Sequence, residues 1–289
     1  MSLAELAALA GRVLGTRGGD SMQYVRPLPG LGILRHPRPT SFEAAVLDPV
    51  FCLVLQGRKE TVLGGDAYPM GVGEALLVSH DLPVLARVTK APYVVLLFDV
   101  SLATLREQLD APAVPMAPAA QARSIGVHRA ESRLVDALRR YLELADSPAD
   151  AAVLGPLVSR EVHYRLATAP FGGMLRELVR KDSAPSAIAR ALAELRSDFR
   201  APVEVPKLAR RVGMSASAFH KHFKAITASS PLQYKKRLQL LEARRLLRLG
   251  AQSVTAVAFD VGYESAAQFS RDYSRAFGNA PKHDLPVRA

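Results

Sequence analysis

Two predicted helices of this chain carry small, polar and basic side chains close to their N-termini. These side chains are Ser217, His220 and Lys221 in the first helix, and Ala266, Ala267, Gln268 and Arg271 in the second. The N-terminal residues of a helix that lies in the major groove of DNA contact base edges. An arginine there can form two hydrogen bonds with a guanine, and an alanine can contact the methyl group of a thymine. Arg271 and the two alanines are therefore candidate base-contacting residues.

The two helices belong to a repeated segment. The first copy is Val205–Thr227 and the second copy is Val254–Phe277. Aligning Gly213 with Gly262 (262 − 213 = 49) pairs Leu208, Ala209 and Val212 with Val257, Ala258 and Val261. Beyond the glycine the second copy has one extra residue, and the matched pairs are then Ser215 and Ser265, Phe219 and Phe269, Lys221 and Arg271, and Phe223 and Tyr273. A repeat of this length is typical of a DNA-binding domain with two helix-turn-helix units.

Each copy has the pattern of a helix, a tight turn and a second helix. Gly213 and Gly262 follow the first helix, where a left-handed glycine ends a helix with the least steric strain. Ser215 and Ser265 then occupy the N-cap position of the second helix. The predicted buried faces of the second helices consist of Phe219, Phe223 and Ile226, and of Phe269, Tyr273 and Ala276. The alternative is two ordinary helical hairpins with solvated outer faces, but two matching copies favour DNA binding.

At these residues the chain resembles the AraC/XylS family of bacterial transcription regulators. The segment Gly262–Pro281, GYESAAQFSRDYSRAFGNAP, is similar to the family's signature around its second recognition helix. The resemblance covers the C-terminal third and implies an all-α domain, in which a long helix over Pro231–Leu249 joins two helix-turn-helix units. It also implies base-contacting positions at Ser217, His220 and Lys221, and at Ala266, Ala267 and Arg271. The tail Pro281–Asp284 departs from the family pattern, because it lacks the aromatic–arginine pair often found there.

The positive charge of the chain is concentrated in the same region. The formal net charge is +11 over 289 residues. Residues 183–289 contain 18 Lys and Arg against 8 Asp and Glu, a balance of 18 − 8 = +10. Binding to DNA requires such cations to neutralise phosphates, whereas a membrane-binding surface would place them beside exposed apolar residues. We therefore expect double-stranded DNA as a partner and no association with membranes.

The N-terminal part of the chain has the composition of short β-strands. Between residues 25 and 100, apolar runs such as Phe51–Leu55 and Tyr93–Phe98 are separated by Gly, Pro and Asp residues typical of turns. Many short strands at this spacing predict a small barrel or a jelly roll. The segments Asp48–Lys59 and Leu76–Val84 resemble the sensor domain of one branch of the AraC family. That resemblance implies a cupin-like fold and an unknown small-molecule effector.

Helices are predicted on both sides of the strand-rich region. Residues 2–14 form an amphipathic helix with Leu3, Leu6, Ala10, Val13 and Leu14 on one face. Residues 16–20 contain glycines that end this helix, and the Pro- and Ala-rich residues 111–120 form an extended connector. Further helices are predicted over residues 128–146, 150–168, 171–181 and 186–199. By the resemblance, the helices between 128 and 181 pair two subunits into a homodimer, and the alternative is that they only brace the barrel.

These patterns predict an α+β chain of two domains. Residues 1–182 are expected to form a cupin-like sensor and dimerisation domain with flanking helices. Residues 183–289 are expected to form an all-α DNA-binding domain with two helix-turn-helix units joined by a long helix. The predicted function is a sequence-specific, effector-controlled transcription regulator. The alternatives are a cupin-type enzyme fused to a helical binding domain, and a DNA-binding regulator without an effector.

The residues of the barrel argue against catalysis. Many cupin-like barrels hold a metal through clustered histidines and a glutamate, but here only His36 and His80 lie in the barrel region, without a neighbouring ligand. His220 and His222 are two residues apart on a helix, so they face different directions and cannot chelate together. We therefore expect no catalytic residue, no metal and no other cofactor.

An effector cavity in the barrel is the more specific prediction. Its candidate lining residues are Phe51, Cys52, Leu53, Leu55, Tyr68, His80 and Tyr93. Cys52 allows two interpretations, because a thiol in an apolar strand behaves as a small hydrophobic residue unless its pKa is lowered. Arg58 and Lys59 are near in sequence, which leaves open an oxidant- or electrophile-sensing thiol.

The remaining sequence features concern the compartment. A single cysteine excludes an internal disulfide and is typical of proteins from a reducing cytoplasm. Glu5 interrupts the apolar N-terminal segment, so we expect no secretory signal there. No apolar run approaches the ~20 residues needed to cross a bilayer. RNA polymerase is a further candidate partner of such a regulator.

Overall fold

The computed structural model describes residues 3–15, 21–109, 124–250 and 252–285. By its internal contacts the chain divides into two compact units. The N-terminal unit comprises Met1–Glu43 with Leu47–Ser186, and the C-terminal unit comprises Ala44–Val46 with Ala187–Ala289. The domain boundary expected after Asp182 lies close before this division.

An antiparallel sheet forms the body of the N-terminal unit. Its strands within the described residues are β1 (Gln23–Leu28), β2 (Leu31–His36), β3 (Glu43–Leu47), β4 (Val50–Leu63), β5 (Asp66–Met70), β6 (Glu74–Val78), β7 (Leu82–Asp99) and β8 (Ile125–Arg129). The hydrogen-bonded order is β1-β2-β7-β4-β6-β8, with β5 beside β4. Each pair along this path is antiparallel.

Two strands are longer than the short apolar runs of the sequence indicate. β4 has 14 residues and β7 has 18. The pairing between them changes register at three places between Val54 and Lys59. At Gly57 φ is +77°, and a Cβ there would lie 2.4 Å from the carbonyl oxygen of Lys90. The glycine therefore allows both strands to continue through an irregularity that resembles a turn in the sequence.

The two faces of the sheet are buried differently. One face packs against helices in what we call the helix-facing cluster, whose sheet residues include Leu31, Ile33, Phe51, Leu53, Leu55, Ala75, Leu77, Val94, Leu96 and Phe98. The other face forms the inner cluster, which consists of Val50, Cys52, Val54, Leu63, Met70, Leu76, Val78, Leu82, Val84, Val88, Tyr93, Val95 and Ile125. Every member of the inner cluster lies on a strand. The sheet therefore curls over itself to bury them, as a barrel does.

Helices on both sides of the strands in sequence cover the helix-facing cluster. They are α1 (Leu3–Leu14), α2 (Leu102–Leu109), α3 (Ser132–Glu143), α4 (Pro148–Thr168) and α5 (Gly173–Val179), with a 3-10 turn over Leu144–Asp146. The amphipathic N-terminal helix is confirmed by α1, which buries Leu6, Ala10 and Leu14. The helix predicted from residue 128 begins only at Ser132, because the preceding residues pair as β8. The predicted stop at residues 16–20 and the connector at 111–120 lie outside the described residues.

The C-terminal unit is helical apart from Ala44–Val46, which lie in β3. It contains α6 (Ala184–Ser197), α7 (Val205–Arg211), α8 (Ala216–Thr227), α9 (Pro231–Leu249), α10 (Val254–Asp260) and α11 (Ala266–Phe277), followed by a 3-10 turn over Pro281–Asp284. The long helix expected over Pro231–Leu249 is confirmed by α9. Ser230 and Gln233 form a capping box at its start, and Gly250, with φ +70°, ends it.

α9 joins two separate cores. Its first half contributes Tyr234 and Leu238 to a core formed with α6, α7 and α8. Its second half contributes Ala243 and Leu247 to a core formed with α10 and α11. The predicted class, an α+β chain with two helix-turn-helix units joined by a long helix, is therefore confirmed.

Candidate nucleic-acid interface

Each helix-turn-helix unit has the turn that its glycine predicts. We call α7 with α8 the first unit, and α10 with α11 the second unit. φ is +79° at Gly213 and +87° at Gly262. The amide of Met214 then donates to the carbonyl of Ala209, and the amide of Tyr263 donates to that of Ala258, both across the turn. The same backbone hydrogen bond therefore closes the end of the first helix in both units.

The serine caps follow the same symmetry. The Ser215 hydroxyl accepts a hydrogen bond from the amide of Ala218, and the Ser265 hydroxyl accepts one from the amide of Gln268. Both caps satisfy a backbone donor at the exposed start of a recognition helix. Because each cap fixes where its helix begins, it also fixes which side chains occupy the first turn.

The inward faces of the recognition helices are aromatic. Phe219 and Phe223 in α8, and Phe269 and Tyr273 in α11, are fully buried. The prediction that Ala276 continues this face is wrong, because Ala276 is exposed. Phe277 takes that place: it lies one turn beyond Tyr273, and their ring centroids are 4.6 Å apart.

The candidate base-contacting residues lie on the outward faces of α8 and α11. Ser217, His220 and Lys221 are exposed, as are Ala267, Gln268 and Arg271. Ala266 is half-buried and packs against the second core. Within the described residues, neither Lys221 nor Arg271 forms an ion pair. Both cations are therefore available to phosphates or base edges.

Two side chains that the sequence analysis did not single out support the turns. Arg190 in α6 donates to the carbonyl of Val212 at 3.2 Å, and Gln239 in α9 donates to that of Val261 at 2.9 Å. The two donors are related by the same offset as the glycines (239 − 190 = 49). The repeat therefore includes the preceding helix, so that each unit has a third helix capping its turn. Because one donor is an arginine and the other is a glutamine, the sequence repeat does not show that these two positions are equivalent.

The second unit also has polar anchors to α9. Asp272 in α11, with only 9% of its side chain exposed, forms an ion pair with Lys236 at 2.7 Å. The Tyr273 hydroxyl donates to a carboxylate oxygen of Asp284 at 2.6 Å. Arg244 and Arg248 each approach the same carboxylate at 3.3 Å.

Asp284 explains how the unusual tail packs. Burial raises the pKa of its carboxyl, but the Tyr273 hydroxyl and the two guanidinium groups outweigh that effect and lower the pKa below its ordinary value. Pro281 of the same turn is buried. A carboxylate thus docks this turn where the family often has an aromatic–arginine pair.

The predicted effector-cavity residues lie on two faces of the sheet. Phe51, Leu53 and Leu55 belong to the helix-facing cluster, whereas Cys52 and Tyr93 belong to the inner cluster, against which Tyr68 packs. Adjacent side chains of a strand alternate between faces, so these residues cannot line one cavity. Grouping Phe51 and Leu55 with Cys52 is the error, and the period of two could have prevented it.

Both ring nitrogens of His80 have hydrogen-bond partners within the protein, so the side chain is not free to contact a ligand. Its Nδ1 lies 2.8 Å from the Ser79 hydroxyl and its Nε2 lies 3.1 Å from the carbonyl oxygen of Pro185. The carbonyl can only accept, so Nε2 carries the proton and Nδ1 accepts from Ser79. Burial lowers the pKa of His80 to about 4. It is therefore a neutral structural residue at neutral pH.

Cys52 has the environment of a hydrophobic residue. Burial raises the pKa of its thiol to about 11, although the charge of Lys59 acts in the opposite direction. The thiolate is the reactive species, and it is scarce at neutral pH when the pKa is this high. This geometry favours packing over sensing.

The described residues contain no group of three His, Cys, Asp or Glu side chains arranged to hold a metal ion. Among the described helices, none combines the length and the apolar character that a bilayer crossing requires.

Comparison with known families agrees with both units. Residues 27–174 match the family model of the AraC-type transcriptional regulator N-terminus. Residues 208–285 match a helix-turn-helix domain model. Because the first match covers half of the chain, the chain belongs to the AraC-type transcriptional regulators.

Individual relatives share mainly the C-terminal part. The HTH-type transcriptional activator RhaS of Pectobacterium carotovorum is 34% identical over 91 residues, 32% of this chain and 33% of RhaS. The HTH-type transcriptional regulator CdhR of Pseudomonas aeruginosa is 29% identical over 151 residues, 51% of this chain and 42% of CdhR. The chain thus matches 33% of the length of RhaS and 42% of the length of CdhR.

Solved structures share the fold of the whole chain. ToxT of Vibrio cholerae with a bound unsaturated fatty acid has a TM-score of 0.56 and 10% identity, over 92% of this chain and 95% of ToxT. Another ToxT structure has a TM-score of 0.51, over 93% of this chain and all of ToxT. At this identity the likeness establishes the fold alone.

Proposed function

We propose that this chain is a sequence-specific DNA-binding transcription regulator. The observation that carries the proposal is the pair of equivalent recognition helices, each capped by a serine and each exposing candidate base-contacting residues. In α8 these residues are Ser217, His220 and Lys221, and in α11 they are Ala266, Ala267, Gln268 and Arg271. The two helices would enter successive segments of the major groove, about one helical turn or ~34 Å apart. Such a regulator acts in the cytoplasm, with RNA polymerase as a candidate partner.

Selection from a random pool of DNA duplexes tests this proposal. The full-length protein is incubated with the pool at two salt concentrations, and the bound duplexes are sequenced. A regulator with two recognition helices enriches a motif with two contact blocks about one helical turn apart, ~10 base pairs. Salt-sensitive binding without any enriched motif would instead mean that the basic unit binds DNA through phosphates alone.

Arg271 carries the most specific expectation within α11. Its neighbours on the same face are alanines and a glutamine, so Arg271 supplies most of the direct readout of this helix. Arg271→Ala should weaken binding to the selected motif by about 1–3 kcal/mol and relax the preference at one base pair. Arg275→Ala is the matched control, because Arg275 lies one turn later and is 81% exposed. Equal weakening on all sequences would make Arg271 a phosphate contact.

We also propose that the protein is a homodimer paired through α4. Four large apolar side chains of this helix are exposed, which is unusual for a surface that stays in water: Val153, Leu154, Leu157 and Tyr164. Val153 and Leu157 are one turn apart and are 70% and 62% exposed. The opposite side of α4, with Val162 and Leu166, is buried in the N-terminal unit. A second copy is the occupant that the family's paired helices imply.

The oligomeric state of one variant tests the pairing. Leu157→Lys places a charge on the exposed face and should convert the dimer to a monomer in light scattering after size-exclusion chromatography. Leu249→Lys is the control, because Leu249 is 64% exposed at the end of α9. A dimer that survives Leu157→Lys would show that α4 is not the interface.

The N-terminal unit would bind the effector. Cys52, Tyr68 and Tyr93 remain the candidate contacts, since they share the inner face of the sheet, while Phe51, Leu55 and His80 are engaged elsewhere. An effector controls such a regulator only if it binds two arrangements of the protein with unequal affinity. A ligand that binds only the folded protein also raises its melting temperature, so thermal shifts detect it.

A further inference from the structure

Three polar side chains lie on the inner face of the sheet. Lys59 of β4 pairs across the strands with Met70 and Val88, and both partners belong to the inner cluster. Residues directly opposite each other in a sheet share a face, so Lys59 lies on the inner side. Thr61 follows two residues later, in register with Tyr68, and therefore lies on the same side. Tyr93 of β7 is itself a member of the cluster.

Two of these side chains have unsatisfied hydroxyl groups. Thr61 is 0% exposed and Tyr93 is 1% exposed. Within the described residues, neither hydroxyl has a hydrogen-bond partner. A buried hydroxyl without a partner destabilises a folded protein, and such groups are rare in native structures. Two such hydroxyls on one inner face are therefore available to hydrogen-bond with a bound polar molecule.

The third group supplies a positive charge. The ammonium nitrogen of Lys59 lies 6.0 Å from the centroid of the Tyr93 ring. Lys59 forms no ion pair with a carboxylate of the described residues. Its charge reaches the inner cluster, because it acts on the pKa of the Cys52 thiol there. An ammonium group without a carboxylate ion-pair partner and two hydroxyl groups therefore lie on the same inner face of the sheet.

We propose that the inner cluster binds a small organic carboxylate. Its carboxylate would lie between the Lys59 ammonium and the hydroxyls of Thr61 and Tyr93, which both donate to it. Its apolar body would pack against Met70 and Val88. This inference rests on the proposed effector-binding role of the N-terminal unit and names the class of the effector.

The donor set distinguishes a carboxylate from other ligands. A neutral polyol could exchange hydrogen bonds with the two hydroxyls, which both donate and accept, but it would leave the Lys59 ammonium without an anionic partner. The inner cluster and its polar neighbours Lys59, Thr61 and Tyr68 include neither a carboxylate nor an amide. Inorganic phosphate would also accept from these donors, but it has no apolar body that could pack against the side chains of the inner cluster. Charge-assisted hydrogen bonds beside apolar surface fit an organic acid best.

Matched acids and amides test the proposal on the full-length protein. Thermal shifts are measured with benzoate against benzamide and with hexanoate against hexanamide, and inorganic phosphate is a further arm. We expect the melting temperature to rise progressively with the concentration of the acids, and the amides and phosphate to have little effect. Equal shifts with acid and amide would overturn the carboxylate assignment. The absence of any shift with the acids would overturn it as well.

Variants of the three donors locate the site. Lys59→Met should abolish the response to the acids, whereas Lys90→Met, which removes an exposed lysine of β7, should retain it. Thr61→Val and Tyr93→Phe should raise the melting temperature of the unliganded protein, because each removes an unpartnered buried hydroxyl. The same two variants should weaken binding of the acids at least tenfold. A lower melting temperature without ligand would mean that the hydroxyls have structural partners.

The DNA selection separates this inference from the proposed function. Lys59→Met leaves the recognition helices unchanged, so the variant should still enrich the wild-type motif. A wild-type protein that enriches a motif but ignores the acids would overturn the ligand class and leave the DNA-binding proposal intact. A protein that binds the acids but enriches no motif would contradict the regulator proposal and leave the ligand site standing.

Discussion

The two helix-turn-helix units have the same backbone but are held differently. In both, a glycine with positive φ and a serine cap define the turn, and a donor from the preceding helix satisfies a carbonyl at its edge. The first unit adds apolar contacts, such as Phe223 against Tyr234, with ring centroids 5.7 Å apart, and an ion pair between Arg211 of α7 and Glu194 of α6. The second unit adds a network of ion pairs centred on Asp272 and Asp284.

The outward faces differ as well. α8 presents three polar side chains, whereas α11 presents Ala267 beside Gln268 and Arg271, with Ala266 half-buried against the second core. A helix with one long basic residue depends on the position of that residue more than a helix with several contacts does. The polar anchoring of the second unit would hold Arg271 in position for the direct readout that we propose.

The largest difference in stability between equivalent variants of the two units is expected at the two turn glycines. At Gly262 a Cβ would lie 2.8 Å from the backbone carbonyl oxygen of Arg200, while at Gly213 nothing lies within 4 Å. Gly262→Ala should therefore destabilise the second unit by about 2–4 kcal/mol, from left-handed strain and steric overlap together. Gly213→Ala should cost the first unit only about 1–2 kcal/mol, from strain alone. Hydrogen exchange of the amides in α10 and α11, compared with those in α7 and α8, measures the two losses of stability. Equal losses in the two units would contradict this expectation.

The next largest loss of stability is expected when the Asp284 carboxylate, which holds the C-terminal 3-10 turn, is removed. Asp284→Ala leaves the buried Tyr273 hydroxyl and two guanidinium groups without their acceptor, which should destabilise α11 by roughly 1–3 kcal/mol. Asp284→Asn keeps an acceptor for Tyr273 and removes only the charge, so its effect should be smaller. Exchange of the α8 amides should not change in either variant. If α8 loosens as much as α11, the network is not local to the second unit.

Acidification should act through the same carboxylate. The folded-state pKa of Asp284 is lowered, so its stabilisation is present above the unfolded-state value of about 4 and is lost as the pH falls through the folded value. We expect the NMR signals of the α11 amides to lose dispersion below about pH 4. Asp284→Asn should shift this transition, and an unchanged transition would exclude Asp284 as its origin.

The smallest expected losses of stability are those of the two serine caps, and they should be nearly equal. Ser215→Ala and Ser265→Ala each remove one hydrogen bond at an exposed helix start, so each should cost about 1 kcal/mol. Local exchange in the first turns of α8 and α11 measures the two losses. A marked inequality would show that the two turns are less alike than their backbones.

Much of the C-terminal unit follows from its sequence. Leu208, Gly213 and Ser215 recur with fixed spacing in the second copy, and each of these residue types has a specific role at a helix end or in a core. Ala276 escaped the prediction because helical spacing allows residues i+3 and i+4 to compete for one face. The larger ring of Phe277 occupies the buried position, and periodicity alone cannot decide between them.

The N-terminal unit is less readable from its sequence. The bulge at Gly57 interrupts the alternation of β4, so one long strand looks like two short runs. The pairing of Lys59 with Val88 depends on contacts between distant segments, which no local pattern records. For that reason the inner face with Lys59, Thr61 and Tyr93 emerged only from the strand register.

In the function that we propose, two recognition helices read two separate blocks of one DNA site. Random-pool selection with Lys221→Ala and Arg271→Ala, each compared with the wild-type protein, would show whether each helix reads its own block. We predict that Lys221→Ala changes the preference only in one block, and that Arg271→Ala relaxes the preference only in the other. Loss of preference across both blocks in either variant, or a wild-type motif with a single block, would contradict the account.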